Sequence, residues 1–151
     1  MISRENLKRV IVPQNMRFTL HEETVPRSIL KDIADLSGTP HVLIITGLRR
    51  AGKSTLLKQI NENLFSSKNT YLNFEDEKLL SFTTEDFSAV QETFLELNDR
   101  VEVVFFDEIQ NVDKWEIAVR KFHNEGLKVI ITGSNASLLS KEFGTKLTGR
   151  H

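Results

Sequence analysis

Cysteine is absent from the sequence, which excludes a disulfide framework and thiolate chemistry and fits a reducing interior. An excess of one charge is lacking too. Lys and Arg number 20 against 21 Asp and Glu, for a formal net charge of −1, so the chain as a whole advertises no polyanion partner. No stretch approaches the roughly 18 consecutive apolar residues of a membrane span, and the opening MISRENLKRV lacks the apolar core of a signal peptide. A cytoplasmic protein without a membrane segment is the expectation. The histidines, His21, His41, His123 and His151, have no ligand spacing, so no zinc site is expected. Glycine is scarce, with seven in 151 residues, yet Gly47 and Gly52 fall close together in TGLRRAGKST. What remains is ordinary for a soluble domain: 39% hydrophobic and 27% charged residues on a chain long enough for one core.

Four short apolar runs follow one another: HVLIIT (His41–Thr46), TYLNF (Thr70–Phe74), VEVVFF (Val101–Phe106) and KVIIT (Lys128–Thr132). They read as strands, some covered on both faces. Helical stripes lie between them: Leu56, Leu57, Ile60 and Leu64, then Phe87, Val90, Phe94 and Leu97, then Trp115, Ala118, Val119 and Phe122. Thr83 or Thr84, with Glu85 and Asp86, announces the second helix. Asp113 and Glu116 are spaced as an Asp variant of the capping box for the third, with Gly126 at its end. Trp115 is expected in the core or an interface. Pro26 opens a further helical pattern with Ile29, Leu30, Ile33 and Leu36 on one face, broken by SGTP. Residues 1–25 are polar with weak periodicity and read as a lead-in, ahead of a domain over 26–151. Alternating strands and helices predict an α/β fold with a mostly parallel sheet.

Gly47-Leu48-Arg49-Arg50-Ala51-Gly52-Lys53-Ser54, followed by Thr55, fits G-x-x-x-x-G-K-[ST], with a strand before it and a helical stripe after it. Glycine at 47 and 52 admits a backbone approach that a Cβ would block. The amides then converge on phosphate oxygens at a helix N-terminus, where the dipole favours negative charge. Lys53 reaches the outer phosphates as a point charge, and the Ser54 hydroxyl suits Mg²⁺. Gly47 to Thr55 are therefore the expected phosphate cradle. Arg49 and Arg50 lie inside it, either on phosphate or a neighbouring subunit or, more simply, as solvated charges.

A P-loop of this kind needs an acid for the metal and, for hydrolysis, one for water. VEVVFFDEIQ places Asp107 and Glu108 at a strand end, with Asp107 expected to contact Mg²⁺ through its water and Glu108 to take the proton from an attacking water. Thr132, Ser134 and Asn135 emerge at the same edge if the strands are parallel. Asn135 is the first candidate for a sensor of the γ-phosphate and Ser134 the second, though either position also suits a helix N-cap. Glu75 and Asp76 end the second strand near the same edge; Gly133 and Gly149 read as turn residues.

GLRRAGKSTLL, YLNFEDEKLL and FFDEIQNVDKWEIAVRKFHNEGLKVIITGSNASLLSKEFGTKLTGRH together resemble the AAA-like ATP-binding proteins of bacteria and archaea, over Pro26 to His151. The adjacent Asp-Glu is similar to the Walker B of the additional-strand class of P-loop ATPases. The resemblance implies a P-loop NTPase three-layer sandwich, Mg²⁺-dependent ATP binding, and a C-terminal domain that this chain does not contain. It matches Arg150 to the family's closing "GR", as an arginine finger or sensor acting in cis or in trans; an exposed charge near the chain end is the plainer alternative. Since family chains continue past that motif, a further strand is expected after Thr148 and the sheet is expected to lack it here. Self-association and a protein or nucleic-acid partner are open. Hydrolysis that drives a conformational change is the leading functional expectation. A nucleotide-gated switch with negligible turnover and a small-molecule kinase are the rivals.

Overall fold

The valines, isoleucines and phenylalanines of the apolar runs suit a sheet covered on both sides, and in the structure, a computed structural model describing residues 2–19, 41–46, 53–65, 70–98, 101–133 and 144–148, they form one. Its strands are β1 (Val42–Thr46), β2 (Thr70–Asn73), β3 (Val103–Asp107), β4 (Lys128–Gly133) and β5 (Gly144–Thr148). They lie in the order β2-β3-β4-β1-β5, with every neighbouring pair parallel. The fifth strand expected beyond Thr148 is thus found before it, paired with β1 from Val42↔Gly144 to Thr46↔Thr148. Gly133, expected in a turn, is the last residue of β4, opposite Thr46.

Alternation along each strand separates two cores. Leu43, Ile45, Tyr71, Val103, Phe105 and Ile130 face one side, where Leu56, Leu57 and Ile60 of helix α2 (Lys53–Leu64) cover them. Val42, Ile44, Leu72, Val104, Phe106, Val129 and Ile131 face the other. There they meet Phe87, Val90 and Phe94 of α3 (Phe87–Leu97) and Trp115, Ala118, Val119 and Phe122 of α4 (Trp115–Asn124). The result is the expected three-layer sandwich. Leu97 is more exposed than its stripe suggests, and Thr93 takes a buried place on α3, its hydroxyl bonded to the Ala89 carbonyl.

One helix start follows the sequence reading and another departs from it: Thr83 and Asp86 form a capping box at the 3-10 turn that leads into α3. Asp86 is buried, and its carboxylate accepts from the Thr83 amide at 2.8 Å ahead of α3. Asp113 makes no cap for α4: the residue before that helix is Lys114, in a left-handed conformation without a side-chain cap bond, while the Asp113 carbonyl accepts from the Thr84 hydroxyl at 2.6 Å. Gly126 does end α4, at φ 90°, an angle that a Cβ disfavours.

Residues read as a lead-in form helix α1 (Arg4–Thr19), and it belongs to the core. Leu7, Val10 and Ile11 pack with the α3 and α4 side, and Phe18 with the α2 side, so the helix straddles the β2 edge of the sheet. Its side-chain amides finish that edge. Asn15 donates to the Tyr71 carbonyl and accepts from the Tyr71 amide, both at 2.9 Å. Gln14 donates to the Asn73 carbonyl at 3.2 Å and accepts from the Asn73 amide at 2.8 Å. Two amide side chains thereby replace a neighbouring strand and leave less open edge for a foreign one. The helix predicted after Pro26 lies outside the described residues. Among the described residues no helix is long and apolar enough to cross a membrane.

Candidate active site

Parallel strands carry their C-terminal ends to one edge, and there the chemistry collects. Asp107 is the last residue of β3 and has no exposed surface. Among the described residues the partners of its carboxylate are hydroxyls. Ser54, in the first turn of α2, donates to Oδ2 at 2.5 Å; Tyr71 of β2 donates to the same oxygen at 2.5 Å; Thr132 of β4 donates to Oδ1 at 2.5 Å. The register explains the meeting. Tyr71 stands opposite Phe105, two positions before Asp107 on the same face, and Thr132 lies one residue past the Phe106↔Ile131 pair. A phenol is long enough to cover that diagonal.

Glu108 follows in a left-handed conformation, φ 55° and ψ 48°, and is nearly buried at 6% exposure. A non-glycine residue there carries local strain of about 1 kcal/mol or more, and such strain gathers at functional positions. Its amide donates to the Thr132 hydroxyl at 3.0 Å, so one threonine touches both adjacent acids. Gln110 donates to Glu108 Oε2 at 2.6 Å. Burial first, then the charge of Asp107 and the bond to it, push the Tyr71 phenol far above its ordinary ionisation range; it remains a donor.

A cavity of about 480 Å³ opens beside Ser54 and Tyr71, walled by Arg17 of α1, Lys58 of α2, and Glu75 and Asp76 beyond β2. Glu75 and Asp76 thus lie beside the site, as the sequence suggested. Of the cradle residues, Lys53 begins α2, Ser54 meets Asp107, and Thr55 lines the cavity. Gly47, Leu48, Arg49, Arg50, Ala51 and Gly52 lie outside the described residues, as do Ser134, Asn135, Gly149 and Arg150. Trp115 is in the core, as expected. Tyr71, Gln110 and the whole contribution of α1 escaped the sequence reading. Tyr71 is the only tyrosine, but nothing in TYLNF tells which neighbour its ring will face.

The donor set fits Mg²⁺. Ser54 directs its proton to Asp107, so a lone pair on the serine oxygen can ligate, and hard oxygen donors are what Mg²⁺ takes. Among the described residues there is no cluster of three His, Cys, Asp or Glu side chains that would compete as a metal site.

An all-parallel sheet with β1 between β4 and β5, a Lys-Ser helix start after β1 and a carboxylate at the end of β3 define a P-loop nucleotide-binding α/β domain. More specifically, the chain belongs to the AAA domain family, whose model matches residues 39–151, and it is an ATP-binding P-loop domain of that family. It is 33% identical over 152 aligned residues to an uncharacterized protein of Methanocaldococcus jannaschii, covering all of this chain and 33% of that one. It is 35% identical over 130 residues to an uncharacterized protein of Haemophilus influenzae, covering 81% of this chain and 32% of that one. The chain therefore spans about a third of the length of these relatives. Its fold is similar to that of AMPPCP-bound DnaA from Aquifex aeolicus, with a TM-score of 0.51 and 11% identity over 89% of this chain and 50% of that one.

Proposed function

We propose that this domain hydrolyses ATP with Mg²⁺ and uses the nucleotide state to change conformation. The observation that carries the reading is the Ser54 hydroxyl resting on the buried Asp107 carboxylate, with Glu108 next in the chain. Gly47 to Thr55 would wrap the phosphates, with Lys53 supplying the charge at their outer end. Ser54 and Asp107 would hold Mg²⁺, whose charge offsets that of the phosphates when it is bound. Glu108 would take the proton of the attacking water; general bases of this kind contribute about 10²- to 10⁴-fold. Asn135 and Arg150 would complete the γ-phosphate end as sensor and arginine finger. Longer relatives support a partner region that receives the conformational change, and likeness in fold to a DNA replication initiation factor makes nucleic acid one candidate for what the full protein meets.

Nucleotide binding and phosphate release by wild type and Lys53→Ala test the reading. Wild type should bind Mg²⁺-ATP and release phosphate, and Lys53→Ala should bind at least about 10-fold more weakly, as expected for losing a charge-assisted bond to phosphate. Equal binding by the two would contradict it.

A slow nucleotide-gated switch is the second reading, favoured by the 2.6 Å bond from Gln110 that engages Glu108 Oε2. It predicts that Gln110→Ala releases phosphate faster than wild type, by severalfold; unchanged turnover would remove this reading.

A further inference from the structure

We infer that Tyr71 is a positioning residue for the metal-holding carboxylate, and that α1 is the mount that holds it there. The inference rests on the Mg²⁺-ATP reading above and deepens it.

An ionised carboxylate offers about four lone-pair positions. Three of those on Asp107 are taken by Tyr71, Ser54 and Thr132. Both Oδ2 positions are filled from the β2 and α2 sides, so among the described residues the position left over is on Oδ1. With both oxygens tied to different elements, the carboxylate plane cannot turn. Tyr71 is the member of this set with no other evident role, since Ser54 belongs to the cradle and Thr132 also accepts from the Glu108 amide.

Packing alone does not call for the hydroxyl. Tyr71 lies stacked on Phe18, ring centroids 4.3 Å apart and planes 13° from parallel, and phenylalanine would stack equally well. It would also be cheaper to bury, because a buried hydroxyl must find a partner. Here the partner is Asp107 and not a backbone group. The ring is fixed by α1 twice, through the Phe18 stack and through Asn15, which pairs with both backbone polar groups of Tyr71. Helix α1 thereby reaches the side of the site where Ser54 meets Asp107.

The test is Tyr71→Phe in the full chain, read by fluorescence of N-methylanthraniloyl-ATP titrated with Mg²⁺, and again in EDTA. Partners that orient a metal ligand typically contribute about 10- to 100-fold to metal affinity. The Mg²⁺ concentration for half-maximal effect should therefore rise about 10-fold, while metal-free nucleotide binding stays as in wild type. A purely structural role would move both together, or neither. Asn15→Ala, which keeps the hydroxyl but frees the Tyr71 backbone, should shift the Mg²⁺ requirement in the same direction by a smaller factor. An unchanged Mg²⁺ requirement in Tyr71→Phe would overturn the inference and leave the ATPase reading standing. Nucleotide binding by wild type that ignores Mg²⁺ would overturn both.

Discussion

Asp107 gathers hydroxyls from three elements that are far apart in sequence, and the sole tyrosine is among them. That makes the site readable by pH. In the unfolded chain Tyr71 ionises near its ordinary value of 10.0; in the native state burial and Asp107 hold the proton on. Above about pH 10 the native protein thus keeps a proton that the unfolded chain has lost. Stability contributed in full below that pH falls as pH rises, by about 1.4 kcal/mol per pH unit. Phenolate absorbance should stay flat in the folded protein through the range where free tyrosine ionises, and appear only on unfolding. A normal titration near pH 10 in folded protein would contradict the buried bond. The acids at 107 and 108 were legible from the sequence because strand-end position and adjacency are local patterns. The phenol was not, because its role depends on the Tyr71↔Phe105 register, which no local pattern states.

At the scale of elements, α1 is where sequence reading and structure part most. Its apolar positions, Leu7, Val10, Ile11 and Phe18, keep helical spacing, but Pro13 lies inside the helix, where a sequence pattern reads a breaker, and the core-facing place at 14 is a glutamine. A buried Gln14 looks polar to a periodicity count, and its purpose, pairing with Asn73, is visible only once β2 lies beside it. Ile11, fully buried between layers, should lose about 2–5 kcal/mol on replacement by alanine; chemical denaturation that shows less than about 1 kcal/mol would mean α1 is not part of the core. The end of α4 was readable and gives a sharper check. A Cβ at Gly126 would meet nothing within 4 Å, so its φ of +90° is the whole cost of Gly126→Ala. That substitution should destabilise by about 1–2 kcal/mol, measured the same way, and a neutral or stabilising result would contradict the left-handed end.

Across the whole molecule, the alternation of strands and helices announces the α/β fold, and the P-loop pattern points to the sheet edge where Ser54 meets Asp107. Strand order and the place of β5 were beyond the reach of pattern: GTKLT carries too little apolar character to declare a strand, and β1 recruits it by pairing along its full length. Because the ligand edge draws on α2, β2, β3 and β4, a bound nucleotide ties several layers together. Binding should raise the unfolding free energy with ligand concentration, by about 2.7 kcal/mol at a hundredfold excess over Kd, seen as a melting temperature that climbs with Mg²⁺-ATP. A melting temperature indifferent to nucleotide would deny that these layers share a site. The measurement that bears most directly on the central claim is phosphate release by Glu108→Gln at saturating Mg²⁺-ATP, with nucleotide occupancy matched to wild type. Release at least about 10²-fold slower at equal occupancy is the expected result for loss of a general base; release at the wild-type rate would mean that Glu108 does not activate water and that this domain is not the ATPase described.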